Sequence, residues 1–145
     1  MSEQRTDKEG QRDGGMISGL HHIRIPVRDA WSSRDWYMSV LGFAPLMDVE
    51  EERALVGVVL KHPVGLVVGL HQDPVRAEAM HGFALLGLTV KSKEHLELLA
   101  AQLDHSDVHH GPIEEGHLGH YFDLPDPDGI VTRFHAGSIA YTEEA

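Results

Sequence analysis

Residues 20–43 read LHHIRIPVRDAWSSRDWYMSVLGF, and this stretch decides the fold. Residues 21–27 alternate in the period of two that a strand requires, and Asp29 follows as a helix N-cap whose carboxylate meets free backbone N–H groups. Trp31, Trp36, Tyr37, Val40 and Leu41 then supply an apolar stripe over residues 30–41, and Gly42 offers the left-handed residue that ends a helix. The pattern predicts strand, helix, then a second strand over 43–49.

Downstream, residues 54–60 (ALVGVVL) and 66–70 (LVVGL) flank the turn-rich Lys61-His62-Pro63-Val64-Gly65 and read as a hairpin. The polar stretch 72–82 is expected to act as a linker, centred on 74–82. The order of elements then recurs. Residues 83–90 read as a strand, Ser92 caps a helix through Leu103, a short strand is expected within 107–112, and 121–124 and 130–135 pair across Pro125-Asp126-Pro127-Asp128-Gly129. The segment 63–71 (PVGLVVGLH) aligned on 127–135 (PDGIVTRFH) shares Pro, Gly, Val and His at one constant offset, which marks an internal duplication.

Composition bounds the function. The chain has 145 residues, 41% of them hydrophobic, enough for one packed domain. The absence of cysteine removes disulfides, thiolate metal sites and cysteine nucleophiles. A net charge of −11 argues against a nucleic-acid partner, and no apolar run approaches membrane-spanning length. Residues 1–16 carry no hydrophobic period and are expected to be a disordered tail, with the domain over 17–138 (modules 17–73 and 83–138) and a C-terminal tail over 139–145. A cytoplasmic location is the default expectation, with no membrane partner. The twelve histidines are conspicuous, since protonating them all would move the charge from −11 to +1.

The stretch 20–43 also resembles the vicinal oxygen chelate superfamily, which includes glyoxalase I, extradiol dioxygenases, fosfomycin-resistance enzymes and bleomycin-binding proteins. The resemblance rests on His22, Val27, Asp29, Ser33, Trp36, Tyr37 and Val40-Leu41-Gly42-Phe43, with a second landmark in the late D-P-D-G turn at 126–129. It implies an α+β fold in which two βαβββ modules form a curled mixed sheet around a shared cavity. It further implies a small-molecule ligand and a homodimer.

Members of this superfamily commonly hold a divalent metal with four inward side chains. Carried over by the resemblance, those positions fall on His22, Gly69, Leu85 and Arg133. Glycine and leucine have no donor atom and arginine repels a cation, so no metal cofactor is expected in that geometry. A relocated site on His22, His71 and His135 is the metal-dependent alternative.

Strand parity, counted from the same positions, points His22, Arg24, Pro26, Val67, Gly69 and His71 inward in the first module. In the second it points Leu85, Gly87, Thr89, Val131, Arg133 and His135 inward. Arg133, Arg24 and His71 are therefore candidate ligand-binding residues, and His22 and His135 candidate acid–base groups. Arg133 has two readings, a clamp for an anionic ligand or half of an internal salt bridge with Asp123 or a glutamate. The histidines have two as well, hydrogen-bonded wall or general base. The expected function is binding of an anionic or carbonyl-containing small molecule over a degenerate metal site. The alternative is a lyase, isomerase or dioxygenase-like enzyme using a histidine base or a nonstandard histidine-bound metal. His117 and His120 are expected in a surface loop.

Overall fold

A computed structural model describes residues 13–137 and 139. Strand β1 (Ile23–Val27) leads into helix α1 (Ala30–Leu41), where the Asp29 carboxylate accepts from the N–H of Trp31 at 3.0 Å and Ser32 at 3.4 Å. Gly42, at φ 79°, closes the helix. Strands β2 (Ala44–Glu51), β3 (Ala54–Lys61) and β4 (Val67–Gln72) complete a sheet ordered β1-β4-β3-β2. Of the neighbouring pairs only β1 and β4 run parallel, because α1 carries the chain from β1 to the far edge at β2 and two antiparallel pairings then lead back to β4.

The second module repeats this plan. Strand β5 (Ala84–Val90) and helix α3 (Lys93–His105) are followed by β6 (Glu114–Gly116), β7 (Gly119–Pro125) and β8 (Val131–Ala136). Their order is β5-β8-β7-β6, with β5 and β8 parallel. The architecture is α+β, built from two four-stranded mixed sheets with βαβββ connectivity.

Three details differ from the sequence expectation. The connecting stretch 74–82 is not extended: Pro74–Ala79 forms helix α2, with Pro74 at its first turn and Asp73 accepting from the Arg76 N–H at 3.1 Å. The strand expected within 107–112 begins instead at Glu114. Gly111 N–H does reach Asp123 O at 2.8 Å, but the His110 imidazole binds the Gly111 carbonyl at 2.6 Å, which takes that acceptor from the ladder. Of the expected N-terminal tail, Asp13–Met16 forms a 3-10 turn. Residues 1–12 and all of 139–145 except 139 lie outside the described residues.

One core lies under α1, formed by Ile25, Val27, Tyr37, Val58, Leu60, Val68 and Leu70, and it extends into the second module through Leu86 and Ile130. Another lies under α3, around Leu96, Leu103, Phe122, Leu124 and Phe134. Trp36 and Leu41 pack against both, so α1 fastens the modules together. Buried polar bonds add direction to that joint. Tyr37 donates its hydroxyl to Asp126 at 2.7 Å, while the other Asp126 oxygen accepts from the N–H groups of Asp128 (2.8 Å) and Ile130 (3.0 Å). The Arg28 N–H donates to Asp128 at 3.2 Å. Burial, then the Asp126 charge, push the Tyr37 hydroxyl well above its ordinary pKa, and burial raises Asp126 despite its three donors. Among the described residues, no helix is long and apolar enough to cross a membrane.

Candidate functional site

The open face of the first sheet is a concavity of about 510 Å³. Its floor is built where β1, β3 and β4 lie side by side. Arg24 stands opposite Gly69 and Gly57 opposite His71, so small residues face large polar ones across the ladders. Val59 and Val67 form the apolar floor, and Leu46, Met47 and Val49 of β2 rise as a wall. Leu46 and Met47 are consecutive, so a regular strand would turn one of them away. A register shift between Pro45 and Met47 lets both line the cavity.

The polar groups gather on the β1 side. The His22 ring lies over Gly69, 3.5 Å from the point a Cβ there would occupy. Its Nδ1 is 2.8 Å from Nδ1 of His21, so one imidazole donates and the other accepts. Arg24 and His71 also line this cavity and extend into a second one of about 390 Å³, bounded by Pro26, Asp73, Arg76 and Met80. Among the described residues, no carboxylate pairs with Arg24. The cavity therefore offers an apolar wall, imidazoles able to accept or donate, and a guanidinium available to an anion or carbonyl oxygen.

The second sheet places its candidates elsewhere. Arg133 donates from Nε and Nη2 to the two Asp123 oxygens at 2.7 and 3.0 Å, and its guanidinium lies 4.2 Å from the centre of the Tyr121 ring. The hydrogen bonds to Asp123 raise its pKa further, so it carries its charge at every working pH. Of its two readings, the structure displays the internal salt bridge. His135 lies against Gly87, 3.6 Å from where a Cβ would stand, with its Nδ1 buried and without a hydrogen-bond partner among the described residues. Neither of these two cavities is lined by Leu85, Arg133 or His135. His22 and His71 come together, but His135 does not join them.

The resemblance would place a family metal among His22, Gly69, Leu85 and Arg133. Gly69 and Leu85 supply no ligand, and Arg133 brings a fixed positive charge already neutralised by Asp123. Among the described residues, no three His, Asp or Glu side chains converge as a metal site would need, which also leaves the triad His22, His71 and His135 unassembled.

The model of the glyoxalase/bleomycin resistance protein/dioxygenase superfamily matches residues 19–134. The chain belongs to this superfamily. Solved structures agree with the fold. A superfamily member from Sphaerobacter thermophilus is 23% identical with a TM-score of 0.68, covering 84% of this chain and 99% of its own. The antibiotic-binding protein TnmS3 from a Streptomyces species is 21% identical (TM-score 0.66; 84% and 98% covered). The fosfomycin resistance protein FosX from Listeria monocytogenes is 16% identical (TM-score 0.66; 86% and 97% covered). No curated protein matches the chain significantly. At these identities the likeness is one of fold, and the superfamily itself spans binding and catalysis.

Sequence parity singled out His22, Arg24 and His71 on this face. Counted from the family positions, parity does not reach β2, so the wall of Leu46, Met47 and Val49 lay outside it. It also missed Arg76, which sits on a helix read as linker; the Asp73-Pro74 pair, an N-cap followed by proline at the first helical position, was the available signal.

Proposed function

We propose that this superfamily member is a small-molecule-binding protein whose ligand occupies the concavity of the first sheet. The ligand packs an apolar body against Met47, Leu46 and Val59 and presents an anionic or carbonyl group to Arg24 and His71. The observation that carries this reading is the pairing of an apolar wall with a guanidinium that has no carboxylate partner among the described residues. Binding needs no metal, which accords with Gly69, Leu85 and Arg133 at the family ligand positions. A thermal-shift screen followed by calorimetry tests it: a hit should bind wild type without being consumed, and Met47→Arg should abolish that binding. Binding that survives Met47→Arg counts against the site.

The hydrogen bond between His21 and His22 favours a second reading, in which His22 takes a proton from a carbonyl-containing substrate. Turnover of a bound carbonyl compound that is lost in His22→Ala would establish it. We also propose a homodimer, the second copy covering the open side where Leu46 and Met47 are 50% and 57% exposed. Light scattering should give twice the chain mass, and a monomer at micromolar concentration would refute it.

A further inference from the structure

The cavity beside α2 is not needed to hold an apolar ligand body, yet it opens from the first and shares Arg24 and His71 with it. Its other wall is made by the helix that occupies the connecting stretch. Arg76 reaches back from α2 to Asp73, Nη1 to Oδ2 at 2.9 Å, and that carboxylate also accepts the Arg76 N–H at 3.1 Å. These bonds to Arg76, backbone first, hold Asp73 below its usual carboxylate pKa, with His71 adding to the effect, so Asp73 is ionised at neutral pH. The cavity thus holds two guanidiniums against one carboxylate, a surplus of one positive charge when His71 is neutral.

Resting on the binding reading above, we infer that this second cavity is an anion subsite and that the ligand is an amphipathic monoanion. Its flat apolar body lies on β2–β4, and its single carboxylate or sulfonate projects past Arg24 toward Arg76. Asp73 sets the charge class. A dianion would bring its second charge against a carboxylate that the Arg76 bonds keep ionised, whereas a monoanion matches the surplus. Arg24 is the principal partner, because Arg76 is already engaged by Asp73. Arg24 and His71 line both cavities, and the second adds Asp73 and Arg76.

The test uses two fluorescent probes with one shared body, N-phenyl-1-naphthylamine, which is neutral, and 1-anilinonaphthalene-8-sulfonate, which adds a single sulfonate. Wild type should bind the sulfonate about tenfold or more tightly than the neutral probe, as a charge-assisted hydrogen bond in a partly covered site provides. Arg24→Met should erase that advantage, read within each variant as the ratio of the two probes' affinities, and Arg76→Gln should reduce the ratio by a smaller factor. Lys61→Gln removes one positive charge on β3 outside both cavities and should leave the advantage intact, which separates local pairing from overall charge. Circular dichroism melts confirm that each variant is folded. If the neutral probe binds wild type and the sulfonate gains nothing, or Arg24→Met leaves its gain intact, the anion subsite is overturned and the apolar binding site stands. If neither probe binds wild type, the binding reading itself fails.

Discussion

Arg133 and Asp123 face each other across the antiparallel β7–β8 ladder, and both nitrogens on one edge of the guanidinium reach both carboxylate oxygens. With Tyr121 beneath it, the arginine is held by its own sheet. Arg133→Met is expected to cost about 1 kcal/mol of stability, the range of a well-aligned but partly exposed pair, as measured by urea denaturation. It should leave binding in the first-sheet cavity unchanged. A large loss of affinity would mean that the arginine releases Asp123 to hold a ligand.

The bond from Tyr37 to Asp126 ties helix α1 to the turn of the second module. Tyr37→Phe should lower stability at neutral pH by about 1–3 kcal/mol, because a buried carboxylate oxygen loses its donor. The pH dependence has a definite sign. Burial raises the folded-state pKa of Asp126, so its ionisation opposes folding: the stability of wild type from this group is fullest below the ordinary carboxylate pKa and declines as pH rises through the raised value. Tyr37 favours the ionised form, so the deficit of Tyr37→Phe should shrink as pH falls through that window. A deficit constant from pH 7 to pH 4 would contradict the assignment.

Two glycines on the cavity floor should respond differently to a methyl group. A Cβ at Gly57 would stand 2.8 Å from the Leu70 carbonyl oxygen, a backbone atom that cannot move without shifting β4. Gly57→Ala is expected to lower the denaturation midpoint by the equivalent of about 1–3 kcal/mol. At Gly69 the methyl would meet only the His22 ring at 3.5 Å, and Gly69→Ala should stay within about 0.5 kcal/mol of wild type. Equal effects at the two positions would show that the sheet spacing is wrong.

His62 bridges the end of α1 and the β3–β4 turn. Its Nε2 donates to the Leu41 carbonyl at 2.9 Å, and its Nδ1 accepts the Val64 N–H at 3.2 Å. Both bonds together require the neutral ring with its proton on Nε2. His62→Ala should destabilise the chain by about 1 kcal/mol, with the loss visible as faster amide exchange at Val64. Unchanged exchange there would remove the bridge.

Protein purified without added metal should hold no stoichiometric divalent ion. Elemental analysis finding close to one nickel, zinc, iron or manganese per chain would require ligands other than those at the family positions.

The repeat was legible because each unit announces itself locally: Asp29 and Ser92 cap helices that follow strands, Gly42 ends one, and the 126–129 turn pairs the last two strands. Strand parity likewise put His22, Arg24 and His71 on one face, since alternation survives wherever a strand is regular. At β2, to which the count was not extended, the register shift beside Leu46 puts two consecutive side chains into one cavity, where simple alternation would have placed only one.

Local chemistry, then, dictated the strand–helix alternation repeated in each module and the duplication, both of which depend on residue type and spacing along one chain. Tertiary structure alone decided whether Arg133 faces a ligand or Asp123, because a guanidinium takes whichever carboxylate the sheet brings within 3 Å, and that pairing joins residues ten apart across a turn. It also decided that Arg76 joins Arg24 at one cavity. Asp73-Pro74 can start a helix, but which cavity Arg76 then reaches depends on the packing of α2 against β1.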